Sequence, residues 1–109
     1  MYFLIYPPLL QGAHLASIHS AEENQFIYDS YGDDAGGDIW IGGMRDANGY
    51  SWTDGTPWDY TNWSPTNPSG GSENCAEMFA ETFFPSRWND DSCTSQNAFV
   101  CQLPTTGIS

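Results

Sequence analysis

Polar and apolar residues alternate in short runs along the chain, a pattern that predicts β-strands. Residues 14–18 alternate in this way, and residues 39–41 form an apolar run with the length of a buried strand. Asn48 and Gly49 make a strong turn dipeptide, so residues 50–52 are predicted to return as the second strand of a hairpin. Further short strands are predicted at residues 75–79, 87–89 and 98–103.

One helix is predicted to begin after Ser20. The segment from Ser20 to Glu23 has the form of a capping box: the Ser20 hydroxyl accepts from the Glu23 N–H, and the Glu23 carboxylate reaches back to the Ser20 N–H. We expect this helix to end near Gly32 and to bury an apolar face made of Phe26, Ile27 and Tyr31.

Between residues 53 and 72 the periodicity disappears, and Gly, Pro, Asp, Asn and Thr dominate. About 20 residues without regular structure are unusual in a compact domain and usually functional. The stretch contains Trp58, Tyr60 and Trp63, so we expect it to be packed by its own aromatic side chains. Three other tryptophans are predicted to lie in the core: Trp40, Trp52 and Trp88.

The 109 residues correspond to one domain. Fourteen acidic residues stand against only two basic ones, and the net charge is −12. This charge repels nucleic acid and anionic membranes, so neither nucleic-acid binding nor membrane insertion is predicted. It attracts cations, and Ca²⁺ suits oxygen-rich loops, although most of the acids are expected only to keep the surface soluble.

The three cysteines, Cys75, Cys93 and Cys101, all lie in the last third of the chain. Their spacing does not match a zinc site, and their odd number leaves at least one without an intrachain partner. A disulfide within the set is the simplest interpretation, and it indicates an oxidising compartment.

In this order the motifs resemble the C-type lectin-like domain from about Gly12 to Gln102. The motifs are residues 12–18 before a capped helix, Ile39-Trp40-Ile41-Gly42, Thr61-Asn62-Trp63, Glu73-Asn74-Cys75, Trp88-Asn89-Asp90 followed by Cys93, and Phe99-Val100-Cys101. The resemblance implies an α+β fold with small antiparallel sheets, two flanking helices and a long looped-out segment. It places the domain at residues 12–103, with a tail at 104–109.

The resemblance also implies a disulfide between Cys75 and Cys93. Cys101 would pair with a cysteine in the family's first helix, but Leu9 and Leu10 stand there. Cys101 is therefore expected to be unpaired, either as a half-buried free thiol or in an intermolecular disulfide. The family's first strand and first helix are not recognisable in residues 1–11, which we interpret as an atypical or truncated segment.

In sugar-binding members of the family, a Ca²⁺ ion in the long loop coordinates two sugar hydroxyls. Its ligands come from a Glu-Pro-Asn or Gln-Pro-Asp triplet, a downstream Glu and an Asn-Asp pair. Carried over to this chain, the predicted metal and carbohydrate ligands are Asn67, Ser69, Glu73, Asn89 and Asp90.

The triplet here departs from both family patterns. Asn67 is uncharged and Ser69 offers only a hydroxyl, so calcium binding is expected to be weak. The alternative is that Asn89 and Asp90 cap a turn and that Glu73 is a solvated acid. A second calcium site of the family is not expected, because Arg45 and Gly70 occupy positions that need acids.

The sequence therefore predicts a secreted carbohydrate-binding module, with glycans as partners and Ca²⁺ dependence left open. The alternative is a lectin-like domain without sugar binding that makes protein contacts or serves as structure. An enzyme is not predicted, because neither His14 nor His19 lies near a promising Ser or Cys nucleophile.

Overall fold

The computed structural model describes residues 2–5, 14–80 and 83–102, and within these ranges it contains one α-helix and one mixed sheet. This confirms the α+β class. The helix α1 spans Ala21–Tyr31, and the strands are β1 (Tyr2–Ile5), β2 (His14–Leu15), β3 (Ile39–Asp46), β4 (Gly49–Trp52), β5 (Cys75–Met78), β6 (Trp88–Asp91) and β7 (Ala98–Gln102).

The seven strands form a single sheet in the order β1-β7-β3-β5-β6, with β2 also beside β7 and β4 also beside β3. The expected division into small antiparallel sheets is wrong in this respect. β3 joins the two halves because Trp40 pairs with Glu77 of β5 on one side and with Phe99 of β7 on the other. The β3–β7 pair is parallel, and the other pairs are antiparallel.

The first strand, which the sequence did not reveal, is formed by Tyr2–Ile5. This strand pairs with β7 over its whole length, from Tyr2 opposite Gln102 to Ile5 opposite Phe99. Four aromatic and aliphatic residues favour an extended strand, although the two prolines that follow break the pattern. Several expectations concern residues that the structure does not describe. These are the loss of the first helix, the lack of a partner cysteine at Leu9 and Leu10, and the tail at 104–109. The domain limits at 12 and 103 therefore stay predictions.

Helix α1 begins as predicted, but its buried face differs from the expectation. The Ser20 hydroxyl accepts from the Glu23 N–H at 3.1 Å, whereas the Glu23 carboxylate accepts from the backbone N–H of His19 at 2.6 Å and not from that of Ser20. The helix buries Asn24 and Ile27, while Phe26 is 54% exposed. Residues three and four apart share a helix face, and Phe26 lies off the face that Asn24 and Ile27 define.

The hydrophobic core lies between α1, one face of the sheet and the irregular segment at residues 53–74. Trp52 and Trp88 are part of it, and Trp40 is buried on the opposite face of β3, where its Nε1 donates to the Ser95 carbonyl at 3.1 Å. The burial predicted for all three tryptophans is confirmed. The core consists of Ala16, Ile18, Ile27, Ala35, Ile39, Ile41, Trp52, Ala76, Met78, Trp88, Ala98 and Val100.

The cysteines divide into one disulfide and one free thiol. Cys75 and Cys93 are bonded, with their Cα atoms 5.2 Å apart, which confirms the predicted pair. Cys101 is free and has no exposed surface, where half burial was expected. Burial raises the pKa of this thiol. A residue so enclosed does not favour an intermolecular disulfide.

Candidate functional site

Residues 53–74, which we call the long loop, connect β4 to β5 without a helix or strand of their own. The loop is held against β6 because Ser64 donates its N–H to the Trp88 carbonyl at 2.9 Å and the Trp88 N–H donates to the Asn62 carbonyl at 2.8 Å. The ring centres of Trp58 and Trp52 are 4.5 Å apart, and those of Trp63 and Trp88 are 5.8 Å apart. The prediction that aromatic side chains pack this loop is confirmed.

Asp90 organises the second half of the long loop. Its carboxylate has no exposed surface and accepts two backbone donors: Ser69 N–H to Oδ1 at 2.9 Å and Gly70 N–H to Oδ2 at 2.7 Å. The Ser69 hydroxyl donates to Glu73 Oε1 at 2.8 Å and lies 3.2 Å from Asp90 Oδ1. The structure thus brings Ser69, Glu73 and Asp90 together.

The other two predicted ligands use their side chains elsewhere. The Asn67–Pro68 peptide bond is cis, and the Asn67 Nδ2 donates to the Ser64 hydroxyl at 2.6 Å. The Asn89 Nδ2 donates to Glu77 Oε2 at 2.8 Å. Successive side chains of a strand point to opposite faces, so Asn89 and Asp90 of β6 face away from each other.

Arg45 of β3 ties down the segment that follows Gly70. Its Nε and Nη2 donate to the Asn74 side-chain carbonyl at 3.1 and 2.8 Å, and Nη2 also donates to the Gly71 carbonyl. The Arg45 backbone N–H donates to the Asn74 carbonyl at 2.9 Å. From the sequence alone, Arg45 is predicted only to be unsuited to a second calcium site. The chain has few basic residues among many acidic ones, and this scarcity was the sequence signal that Arg45 has a structural role in the loop.

Tyr50 lies opposite Arg45 in the β3–β4 hairpin. The charges of Arg45, Glu73 and Asp90 act on its hydroxyl. Its hydroxyl is buried and has no hydrogen-bond partner among the residues that the structure describes. Burial raises the pKa of Tyr50, the negative charges of Asp90 and Glu73 add to the rise, and the Arg45 charge opposes it. One guanidinium and two carboxylates therefore act on the same buried hydroxyl.

The structure brings only part of the predicted calcium-ligand set together. Ca²⁺ takes six to eight oxygen ligands, but both Asp90 oxygens already accept N–H donors and the Asn89 side chain faces the other side of the sheet. Within the described ranges, no three His, Cys, Asp or Glu side chains are placed to hold a metal together. Calcium coordination by the five predicted residues stays a prediction.

A second polar cluster, which sequence analysis missed, joins the start of α1 to the first half of the long loop. His19 Nδ1 lies 2.7 Å from Asp59 Oδ1, and its Nε2 lies 3.0 Å from the Thr56 hydroxyl. The Ser17 and Thr56 hydroxyls donate to Asp54 at 2.5 and 2.6 Å. Burial alone would raise the pKa of Asp54, but these hydrogen bonds and the nearby His19 lower it below its ordinary value. Residues some 40 positions apart form this cluster, so no local motif announced it.

Comparison with known proteins identifies the family. The family model described as the lectin C-type domain matches residues 10–103. The chain belongs to the C-type lectin domain family. Members of this family are binding proteins without catalysis, so the chain is not an enzyme. Helix α1, the one helix of the described ranges, is too short to cross a membrane.

Similar proteins within this family carry different names. The chain is 43% identical to a type-2 ice-structuring protein of Brachyopsis segaliensis, over 84% of this chain and 52% of that protein. It is 38% identical to an α-N-acetylgalactosamine-specific lectin of Patiria pectinifera, over 85% of this chain and 59% of that protein. It therefore spans between half and three fifths of the length of these relatives.

Among solved structures, a calcium-independent type II antifreeze protein superposes with a TM-score of 0.69. That structure shares 42% identity with this chain and is matched over 84% of this chain and 68% of its own length. Carbohydrate-binding and ice-structuring proteins are thus both relatives of this C-type lectin domain.

Proposed function

We propose that this C-type lectin domain is an extracellular binding module whose long loop takes hydroxyl-rich ligands, glycans above all, without requiring calcium. The observation that carries the proposal is the Asp90 carboxylate, which accepts the N–H groups of Ser69 and Gly70. In this arrangement the chain's own N–H donors already hold the loop backbone against the buried carboxylate. The Cys75–Cys93 disulfide supports an oxidising, extracellular location.

The ligand-facing groups proposed here are the Ser69 hydroxyl and the Glu73 carboxylate. Ser69 is exposed and Glu73 is half-buried, so a hydroxyl and a carboxylate are available to sugar hydroxyls. Asp90 is fully buried and positions Ser69 from below. Asn89 is assigned no sugar contact, because its amide serves Glu77 on the other face of the sheet. The N-acetylgalactosamine-specific relative supports a glycan as the ligand class.

The test is a glycan array probed in millimolar CaCl₂ and in EDTA, with wild type, Glu73→Gln and Asp33→Asn. We expect the same glycans to be bound in both buffers, weaker binding by Glu73→Gln and unchanged binding by Asp33→Asn. The last variant removes one exposed carboxylate outside the loop and so controls for net charge. Binding that vanishes in EDTA would refute the calcium independence, and no glycan binding in either buffer would refute the ligand class.

Ice is a second candidate ligand, and the ice-structuring relative and the calcium-independent antifreeze structure favour it. Ice presents a surface of water hydroxyls, and the long loop offers exposed groups able to meet it, among them Thr66, Ser69 and Ser72. Thermal hysteresis measured in EDTA tests this candidate. A freezing-point gap larger than that of bovine serum albumin at equal mass would support it, and an equal gap would reject it.

A further inference from the structure

We infer that Arg45 is the internal cation that closes residues 69–74, performing with a guanidinium the positioning that a bound metal ion would perform. This inference deepens the proposed calcium independence of the same loop and rests on it. It assigns Arg45 a positioning role and no ligand contact.

The Arg45 side chain is hydrogen-bonded to two residues of this segment, Gly71 and Asn74. A guanidinium presents five N–H donors in a rigid plane and cannot lose its charge at any ordinary pH. Nε and Nη2 converge on the Asn74 side chain, and Nη2 also reaches the Gly71 carbonyl. Both acceptors are oxygens of neutral groups, the kind of ligand that loops also offer to hard cations.

The local charges explain why a cation is needed there. Glu73 and Asp90 both lie within reach of the single Ser69 hydroxyl, whose one proton cannot serve the two carboxylates at once. Two like charges brought this close repel each other. The chain has only two basic residues and a net charge of −12, yet one of the two, Arg45, acts together with this pair on the Tyr50 hydroxyl.

The loop backbone is shaped around the guanidinium. Gly70 and Gly71 have φ values of +88° and +72°, which residues with a side chain rarely adopt. A Cβ atom on Gly70 would be in ordinary van der Waals contact with Arg45 Nη1 at 3.4 Å, so this part of the turn lies next to the guanidinium.

The test measures hydrogen exchange at the Ser69 and Gly70 amides without any ligand. Arg45→Gln is expected to speed their exchange about tenfold or more, the scale of a lost charged hydrogen bond. Arg45→Lys keeps the positive charge but lacks the planar set of guanidinium donors. Its amides should therefore be more protected than those of Arg45→Gln and less protected than those of wild type. The matched control is Arg87→Gln, which removes the only other basic side chain, is exposed, and should leave these amides unchanged.

The same exchange measurement in the presence of calcium distinguishes two roles of Arg45: replacing a metal ion, or only packing in the structure. In millimolar CaCl₂, Arg45→Asp should regain protection at the same two amides, while wild type should not respond. Equal exchange in Arg45→Gln and Arg87→Gln would overturn the inference, as would calcium protection of wild type. If Arg45→Gln does not fold, Arg45→Lys against wild type decides the matter, because unchanged exchange there would also overturn it. Glycan binding enters none of these readouts, so its failure would leave this result standing.

Discussion

The buried carboxylate of Glu77 leads us to predict that the free energy of unfolding falls as the pH rises toward neutrality. This β5 residue is only 3% exposed, and its carboxylate accepts from Asn89 at 2.8 Å and from Asn97 at 2.9 Å. Burial raises the pKa of Glu77 from 4.5 to about 7, the negative charges of Asp38 and Asp91 add to the rise, and the two amide hydrogen bonds oppose it. The folded chain therefore holds this proton more tightly than the unfolded chain does.

The sign and the size follow from linkage. Between about pH 4.5 and about pH 7 the folded state binds more protons at Glu77 than the unfolded state, so the free energy of unfolding falls as the pH rises. This rise in the pKa of Glu77 from 4.5 to about 7 corresponds to an upper limit of about 3 kcal/mol in the free energy of unfolding. The full cost is present above about pH 7 and absent below about pH 4.5.

Glu77→Gln reproduces the neutral side chain at every pH. We expect the variant to unfold at the wild-type temperature near pH 4 and about 5–15 °C above it near pH 8, the shift that about 1–3 kcal/mol gives in a domain of this size. Thermal unfolding at the two pH values and constant ionic strength measures this. Asp33→Asn controls for the loss of one negative charge at an exposed position. A Glu77→Gln variant whose melting temperature tracks wild type at both pH values would refute the reasoning.

The remaining predictions concern the cysteines and the helix cap. Reduction of the Cys75–Cys93 disulfide should cost about 3 kcal/mol of stability, measured by denaturant unfolding with and without dithiothreitol, and an unchanged midpoint would contradict it. Ser20→Ala should lose about 1 kcal/mol through its missing cap, whereas the exposed Ser30→Ala should not, and equal losses would count against the cap. Cys101 should react with Ellman's reagent only in denaturant, and rapid native labelling would show that it is not buried.

Much of the fold followed from short-range patterns in the sequence. The Ser20 cap, the hairpin turn at Asn48 and the buried tryptophans depend on neighbouring residues or on side-chain size, and all were predictable. Strand β1 was not, because Pro7 and Pro8 obscure an otherwise good strand pattern. Phe26 was misplaced because an apolar residue was assumed to face inward without regard to helix phase.

The candidate site was harder to predict because it depends on long-range packing. Motif order grouped Ser69, Glu73, Asn89 and Asp90; the structure brings Ser69, Glu73 and Asp90 together and places the Asn89 side chain against Glu77. Strand alternation separates Asn89 from Asp90, and the strand predicted at residues 87–89 stopped short of Asp90, which belongs to β6 in the structure. The roles of Arg45 and His19 arise from partners 26 to 40 residues away, which no local pattern reveals.

The central claim, ligand binding by the long loop without calcium, is tested most directly by one affinity measured twice. The glycan bound best on the array is titrated calorimetrically into the wild-type chain, first in millimolar CaCl₂ and then in EDTA. Since both Asp90 oxygens already accept backbone N–H donors from Ser69 and Gly70, we predict the same Kd in both buffers. A Kd that weakens tenfold or more in EDTA and returns when calcium is restored would contradict the claim.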